Sequence, residues 1–406
     1  MSDLMMLKDK PASYASPLPP HRQKRTWMIV VALLSLCFIL TSPFTHRATY
    51  AAHPLYGMNI DWHRYAYSQY ATNQHYLCNS LMIFDSLEKQ GSKADRMLFY
   101  PKTWDLAISS STDRTSQLLV LARKQYKVKL RPVEMYTLKR QSKDDEETWD
   151  ASINKLHAWN EGEYDRIIHL DSDITLLQNI DELFFLPLSR GSPIAMPRAY
   201  WKLDEPAAQG GGHKLTSLLI VLQPHAKEAD ALWDMAAGLD NTSYSSLQPN
   251  HLFDMELLNT RYFESALTIP HRPYALVTGE FRRPATTNHT RYLGNNDEQW
   301  DPHAALQEAK LVHFSDWPLP KPWIMWPNTL MREMQPECEF DTGTSRERGC
   351  EDRKVWKGLY DDFRRRRKEV CRLLSVPAPE WPPRPRPRPR QGNEEILQRG
   401  DVGGSP

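Results

Sequence analysis

Short apolar runs alternate along this chain with stretches whose apolar residues recur at three- and four-residue spacing. Tyr65-Ala66-Tyr67-Ser68-Gln69-Tyr70 reads as a strand that ends in the small residues Ala71-Thr72-Asn73. Tyr76 to Gly91 has the helical period through Leu77, Leu81, Phe84 and Leu87 and stops at the glycine. Met97 to Tyr100, halted by Pro101, is the next strand. A helix over about Thr115 to Tyr126 leads into a strand from Lys127 to Leu130, and a helix over about Thr148 to Trp159 leads into the apolar run Ile167 to Leu170. This alternation predicts an α/β fold, a mostly parallel sheet with helices on both faces and ligands at the carboxyl ends of the strands. Further on, Pro193 to Arg198 and Leu215 to Pro224 read as strands. Asp352 to Leu374, with Val355, Leu359, Phe363 and Val370 in helical register, reads as a surface helix packed on the domain.

The two ends change character. Residues 1–25 are polar and close on His21-Arg22-Gln23-Lys24-Arg25, and 26–44 carry no charge, with Trp27 to Leu40 almost continuously apolar. That length suits a thin early-secretory membrane, and the basic cluster before it predicts an amino end kept in the cytosol. The expected layout is a cytosolic tail (1–25), a signal-anchor transmembrane helix (26–44), a stem (45–58), one globular domain (59–375) and a Pro/Arg-rich tail (376–406). A cleaved signal peptide is the alternative, with a weak small-x-small site at Ala48-Thr49-Tyr50-Ala51. The sequons Asn241-Thr242-Ser243 and Asn288-His289-Thr290 agree with a lumenal domain. Of the five cysteines none has zinc-type spacing; two of Cys338, Cys350 and Cys371 can pair in an oxidising lumen, while Cys78, in a buried helix, is expected to stay a thiol. With 51 Lys plus Arg against 50 Asp plus Glu, there is no global electrostatic case for nucleic acid.

The chemistry gathers where the run Tyr164-Asp165-Arg166-Ile167-Ile168-His169-Leu170 delivers Asp171-Ser172-Asp173. Residues two apart on an extended chain point the same way, so both carboxylates can converge on one cation. Hard oxygen donors suit Mg²⁺ or Mn²⁺, which share their shells with substrate phosphates. An isolated Asp-x-Asp is as often a solvated turn. The glycine-rich Gln209-Gly210-Gly211-Gly212-His213 lacks the strand and lysine-serine ending of a triphosphate loop and reads as a lid or linker.

The aspartate strand with the following Gln178-Asn179-Ile180-Asp181-Glu182-Leu183-Phe184 resembles the family 8, glycogenin-like glycosyltransferases, and Tyr70 to Pro101 resembles the fungal Golgi N-acetylglucosaminyltransferases within that group. The resemblance implies a GT-A-type nucleotide-diphospho-sugar fold, a UDP-sugar donor, a glycan or glycoprotein acceptor and retention of anomeric configuration. It implies donor binding by Thr72, Asn73, Tyr76, Lys155, Asp171 and Lys321, and a metal held by Asp171, Asp173 and His313, the imidazole favouring Mn²⁺, with Mg²⁺ possible. By the same resemblance Ser217 meets the donor sugar, Asp254 in His251-Leu252-Phe253-Asp254-Met255-Glu256 lies near the reacting carbon, and Lys321 neutralises the departing diphosphate. Taken alone, Asn73 or Thr72 reads as a helix cap, Lys155 as a solvated lysine, and Asp254 and Glu256 as an acidic helix start. In Val312-His313-Phe314-Ser315-Asp316-Trp317-Pro318-Leu319-Pro320-Lys321-Pro322-Trp323 the His-to-Lys spacing is two residues longer than in glycogenin-like members, and Met255 replaces a frequent glutamine. The expectation is transfer of N-acetylglucosamine from UDP-GlcNAc to N-linked glycans in the Golgi. The alternatives are another UDP-hexose transferase and a catalytically silent lumenal scaffold.

Overall fold

Alternation within the short apolar runs decides how the chain folds, because a strand offers every second side chain to each face of a sheet. The computed structural model describes residues 59–138, 151–189, 191–202, 214–241, 253–283, 289–316, 321–340, 347–372 and 376–377. All of these but Asn59 belong to one unit, Ile60–Pro406. The strands are β1 (Tyr65–Tyr70), β2 (Asp95–Pro101), β3 (Lys129–Val133), β4 (Arg166–Leu170), β5 (Ile174–Leu176), β6 (Ile194–Pro197), β7 (Leu219–Leu222), β8 (Leu267–Ile269), β9 (Leu276–Val277) and β10 (Leu311–His313). Seven form the central sheet in the order β3-β2-β1-β4-β7-β6-β8, and β5-β10-β9 form a small sheet.

Successive side chains divide between two cores. Tyr67, Leu98, Ile168 and Val221 join the first, whereas Ala66, Met97, Ile167 and Ile220 join the second. Helices α1 (Gln74–Lys89) and α2 (Arg114–Tyr126) cover the first face. The 3₁₀ segment Ser152–Asn160 and helices α3 (Ala226–Asn241) and α4 (Asp254–Tyr262) cover the second. Asn73 starts α1 by accepting from His75 N and Tyr76 N at 2.9 and 3.1 Å, and Gly91, at φ +74°, follows its end.

The sheet is more mixed than the strand-helix alternation predicts. β1, β2, β3 and β4 pair in parallel, but β7 runs antiparallel to both β4 and β6. Its reversed direction brings its first residues, rather than its last, to the carboxyl end of β4, where Asp171 N donates to Leu218 O at 2.9 Å. The expected strand from Leu215 is correspondingly short: Ser217 lies in the turn before β7. The helix expected over Thr148 to Trp159 is the 3₁₀ segment from Ser152, its start falling outside the described residues.

The last long helix, α5 (Glu351–Cys371), buries Trp356, Tyr360, Phe363 and Arg367. It packs on α1 so closely that Cys371 and Cys78 form a disulfide, their Cα atoms 5.8 Å apart. That corrects the expectation of a free thiol at Cys78, since helical burial beside α5 supplies the partner. Cys338 and Cys350 form the second disulfide, a pairing among those left open. Among the described residues no helix is long and apolar enough to cross a membrane. The span over 26–44, the stem, the glycine-rich loop 209–213, Asn288 and the tail from residue 378 lie outside the described residues.

Candidate active site

The turn between β4 and β5 carries both aspartates, and two neighbouring strands fix its position. On one side β7 holds Asp171 through Leu218; on the other, β10 pairs antiparallel with β5 and Phe314 N donates to Asp173 O at 3.0 Å. His313, the last residue of β10, places Nε2 3.2 Å from Asp173 Oδ1. One donor atom each from Asp171, Asp173 and His313 lies within 4.8 Å of the others. Two carboxylate oxygens and an imidazole nitrogen at that spacing fit a divalent metal ion.

Two lysines flank this group, one beside each carboxylate. Lys155, almost fully buried on the 3₁₀ segment, sets Nζ 2.8 Å from Asp171 Oδ1 and 2.5 Å from Asp254 Oδ2. It also donates to Ser217 O at 3.3 Å. Asp254 opens α4 and accepts from Ser217 Oγ at 2.6 Å. Lys321 places Nζ 2.7 Å from Asp173 Oδ2 and 3.4 Å from Phe314 O. The solvated-lysine reading of Lys155 is thereby replaced. The tertiary structure turns it inward because the 3₁₀ segment lies directly over the carboxyl end of β4.

Burial and charge act against each other here. Burial raises the Asp171 pKa, and the Lys155 ammonium only partly offsets it. At Asp254 burial acts in the same sense, but Lys155 and Ser217 outweigh it and the carboxyl stays below its ordinary value. At Asp173 Lys321 and His313 overcome burial, and its pKa falls far below the usual range. Lys155, whose burial favours the neutral amine, is held protonated by Asp171 and Asp254. Asp173 and Asp254 are thereby held ionised, and with Asp171 they are fixed by the two ammonium groups, able to receive a charged group without first ordering their own side chains.

Asn73 caps α1, as its polar character allows, and Thr72 lies half-buried in the turn between β1 and α1. Tyr76 presents itself edge to face with Trp323, ring centroids 5.3 Å apart. Glu256 takes the helix-start role read for it, accepting from Phe253 N at 3.3 Å. Ser217, Lys155, Asp254, Asp171, Asp173, His313 and Lys321 therefore form one contiguous constellation, with Thr72, Asn73 and Tyr76 at the adjacent end of β1.

Sequence reasoning gave no role to the side chains of Tyr70 or Asp316. Tyr70 ends β1 two residues beyond the Ser68–His169 pairing, so it lies alongside Asp171, and its ring stacks on His169 at 5.9 Å. Burial, then Asp171 and Asp254, raise its pKa well above the ordinary value. An aromatic ending the strand next to the Asp-x-Asp strand was the available signal. Asp316, buried just beyond His313, accepts from Trp356 Nε1 at 3.0 Å and Tyr360 Oη at 2.6 Å. Nothing local foretold those partners, which lie on α5.

No protein-family model matches the chain. Glucose N-acetyltransferase 1 of Aspergillus fumigatus is 50% identical over 358 residues, covering 87% of this chain and 89% of that protein. Glucose N-acetyltransferase 1 of Gibberella zeae is 44% identical over 326 residues, covering 79% of this chain and 66% of that protein. The Saccharomyces cerevisiae protein of the same name is 25% identical over 419 residues, covering 78% and 83%. Among solved structures, galactosyltransferase LgtC with donor and acceptor sugar analogs has a TM-score of 0.44 and 11% identity, covering 72% of this chain and 96% of that one. A likeness at that level carries no part of the assignment. Site and relatives define the class: the protein is a glycosyltransferase. Within that class, the chain belongs to the glucose N-acetyltransferase 1 family.

Proposed function

We propose that the protein transfers N-acetylglucosamine from UDP-GlcNAc to N-linked glycans, with retention of configuration, on a GT-A-type fold. The observation that carries the reading is the convergence of Asp171, Asp173 and His313 between Lys155 and Lys321. Two acids and a histidine flanked by two ammonium groups suit a metal-bound diphosphate better than a neutral sugar. The relatives' name, glucose N-acetyltransferase, joins an N-acetyl group and a glucose unit, in keeping with this donor.

Asp171, Asp173 and His313 would hold a divalent ion, which when bound supplies Lewis acidity to the departing diphosphate. Lys321, on the far side of Asp173, is placed to neutralise diphosphate oxygens as they gain charge. Lys155 ties Asp171 to Asp254 and so fixes the distance between the diphosphate and sugar ends of the site. Asp254, ionised and oriented by Ser217 Oγ, offers negative charge to an oxocarbenium-like sugar. Tyr76 and the Thr72–Asn73 turn lie where the nucleoside would rest.

The compartment belongs to the same proposal: a single-pass type II Golgi membrane protein with its catalytic domain in the lumen. The uncharged stretch 26–44 behind a basic cluster supports it, as do the two disulfides, which persist in oxidising compartments. The test uses the purified full-length chain with Mn²⁺ and a panel of UDP-sugars, following UDP release with and without a chelator. Turnover of UDP-GlcNAc that stops on chelation is expected. Turnover of a different UDP-hexose alone overturns the donor assignment. Failure to turn over or bind any sugar nucleotide overturns the enzyme reading in favour of the silent scaffold.

A further inference from the structure

Arg367 is among the largest side chains with almost no exposed surface, and no carboxylate among the described residues pairs with it. Burial alone pushes its pKa down to about 10. An enclosed cation without an acid is costly, so its neighbours must account for its place. Its Nη1 donates to His75 O at 3.2 Å and also to Asn79 Oδ1, and Nη2 lies 3.4 Å from His75 Nδ1. These contacts all fall on the first turns of α1, the stretch that carries Tyr76. On its other side the guanidinium lies 5.9 Å from the ring centroid of Trp323. Trp323 in turn meets Tyr76 at 5.3 Å and Phe363 at 6.1 Å. Trp323 is two residues from Lys321, and the Lys321 carbonyl accepts from Ile324 N at 2.9 Å. One buried guanidinium thus touches both the turn bearing Tyr76 and the segment bearing Lys321.

We infer that Arg367 is a positioning residue for the donor site, setting the distance between Tyr76 and Lys321 and hence between nucleoside and diphosphate. Helix α5 is suited to this because it is held at both ends. Near its amino end Trp356 and Tyr360 bind Asp316, close to His313, and at its carboxyl end Cys371 is bonded to Cys78 on α1. The bidentate reach of the guanidinium matters more than its charge, so lysine is a partial substitute and methionine none.

The inference rests on the reading of Tyr76 and Lys321 as donor-binding residues. The test compares wild type, Arg367→Lys and Arg367→Met by UDP calorimetry in Mn²⁺ and by steady-state kinetics with UDP-GlcNAc. Arg367→Met is expected to weaken UDP binding and raise KM by about tenfold while kcat changes less than about threefold, with Arg367→Lys between them. Equal UDP affinity in wild type and Arg367→Met overturns the inference, as does a fall in kcat with KM unchanged. Where Arg367→Met does not fold, hydrogen exchange of the unaltered protein decides. UDP should slow exchange around residues 363–367, and no slowing there overturns the inference. A wild type that binds neither UDP nor any sugar nucleotide removes the donor reading and this inference with it, an outcome seen before any variant is made.

Discussion

Replacing Cys78 and Cys371 together by alanine probes the longest covalent constraint in the described structure. The bond closes a loop with a sequence separation of 293, and the chain-entropy relation for a loop of that length gives roughly 5.7 kcal/mol. Measured losses for native disulfides run from about 2 to 5 kcal/mol, so a loss of about 3–5 kcal/mol is expected here. Both cysteines are fully enclosed, and each alanine also leaves a small void that adds to the loss. The native fold should survive, because α5 stays docked through other contacts. Arg366 Nη2 donates to Met82 O at 2.7 Å and to Ser86 Oγ at 2.6 Å. Trp356, Tyr360 and Phe363 remain in the core. The assay is equilibrium urea unfolding of the double variant against wild type, with near-ultraviolet circular dichroism confirming native packing before denaturant is added. A loss below about 1 kcal/mol refutes the reasoning. So does peptide mapping that finds Cys78 or Cys371 as a free thiol in the native protein.

Three further predictions follow from the site and the core. Asp173→Asn keeps the shape of the side chain but removes the charge that faces His313 and Lys321; kcat should fall by at least about 100-fold without loss of fold, and an unaltered rate in the UDP-release assay rules out its catalytic placement. Asp316→Ala strips Trp356 and Tyr360 of their acceptor and should cost about 2–4 kcal/mol in urea unfolding, since buried donors are left unpaired; a cost within error of zero contradicts that account. Burial lowers the pKa of both His157 and His271, so as pH falls through the ordinary value of about 6.5 the unfolded chain takes up protons on them before the folded chain does. Their contribution is therefore fully present above that value and is lost as pH falls toward the lowered folded pKa. The urea midpoint should drop between pH 7.5 and 5.5, less steeply in His271→Gln, and an equal drop in both proteins would exclude His271 as a source.

Local order came through in the sequence because it is written in neighbouring residues. Apolar spacing placed β1, α1, β2, α2 and β4 to within a few residues, since burial of one face or stripe imposes its own period. Asp171 and Asp173 were legible as a pair for the same reason, being two apart at a strand end. The roles of His313, Lys321, Ser217 and Asp254 came from resemblance rather than spacing, and the fold brings all four around the aspartate turn. Only the tertiary structure decided the rest. It reversed β7 so that Ser217 enters the site from a strand's beginning, turned Lys155 inward between two acids, joined Cys78 to Cys371, and enclosed Arg367 between α1 and Trp323. Each of these depends on side chains tens to hundreds of residues apart, and no local period records which distant surface a buried polar group will meet.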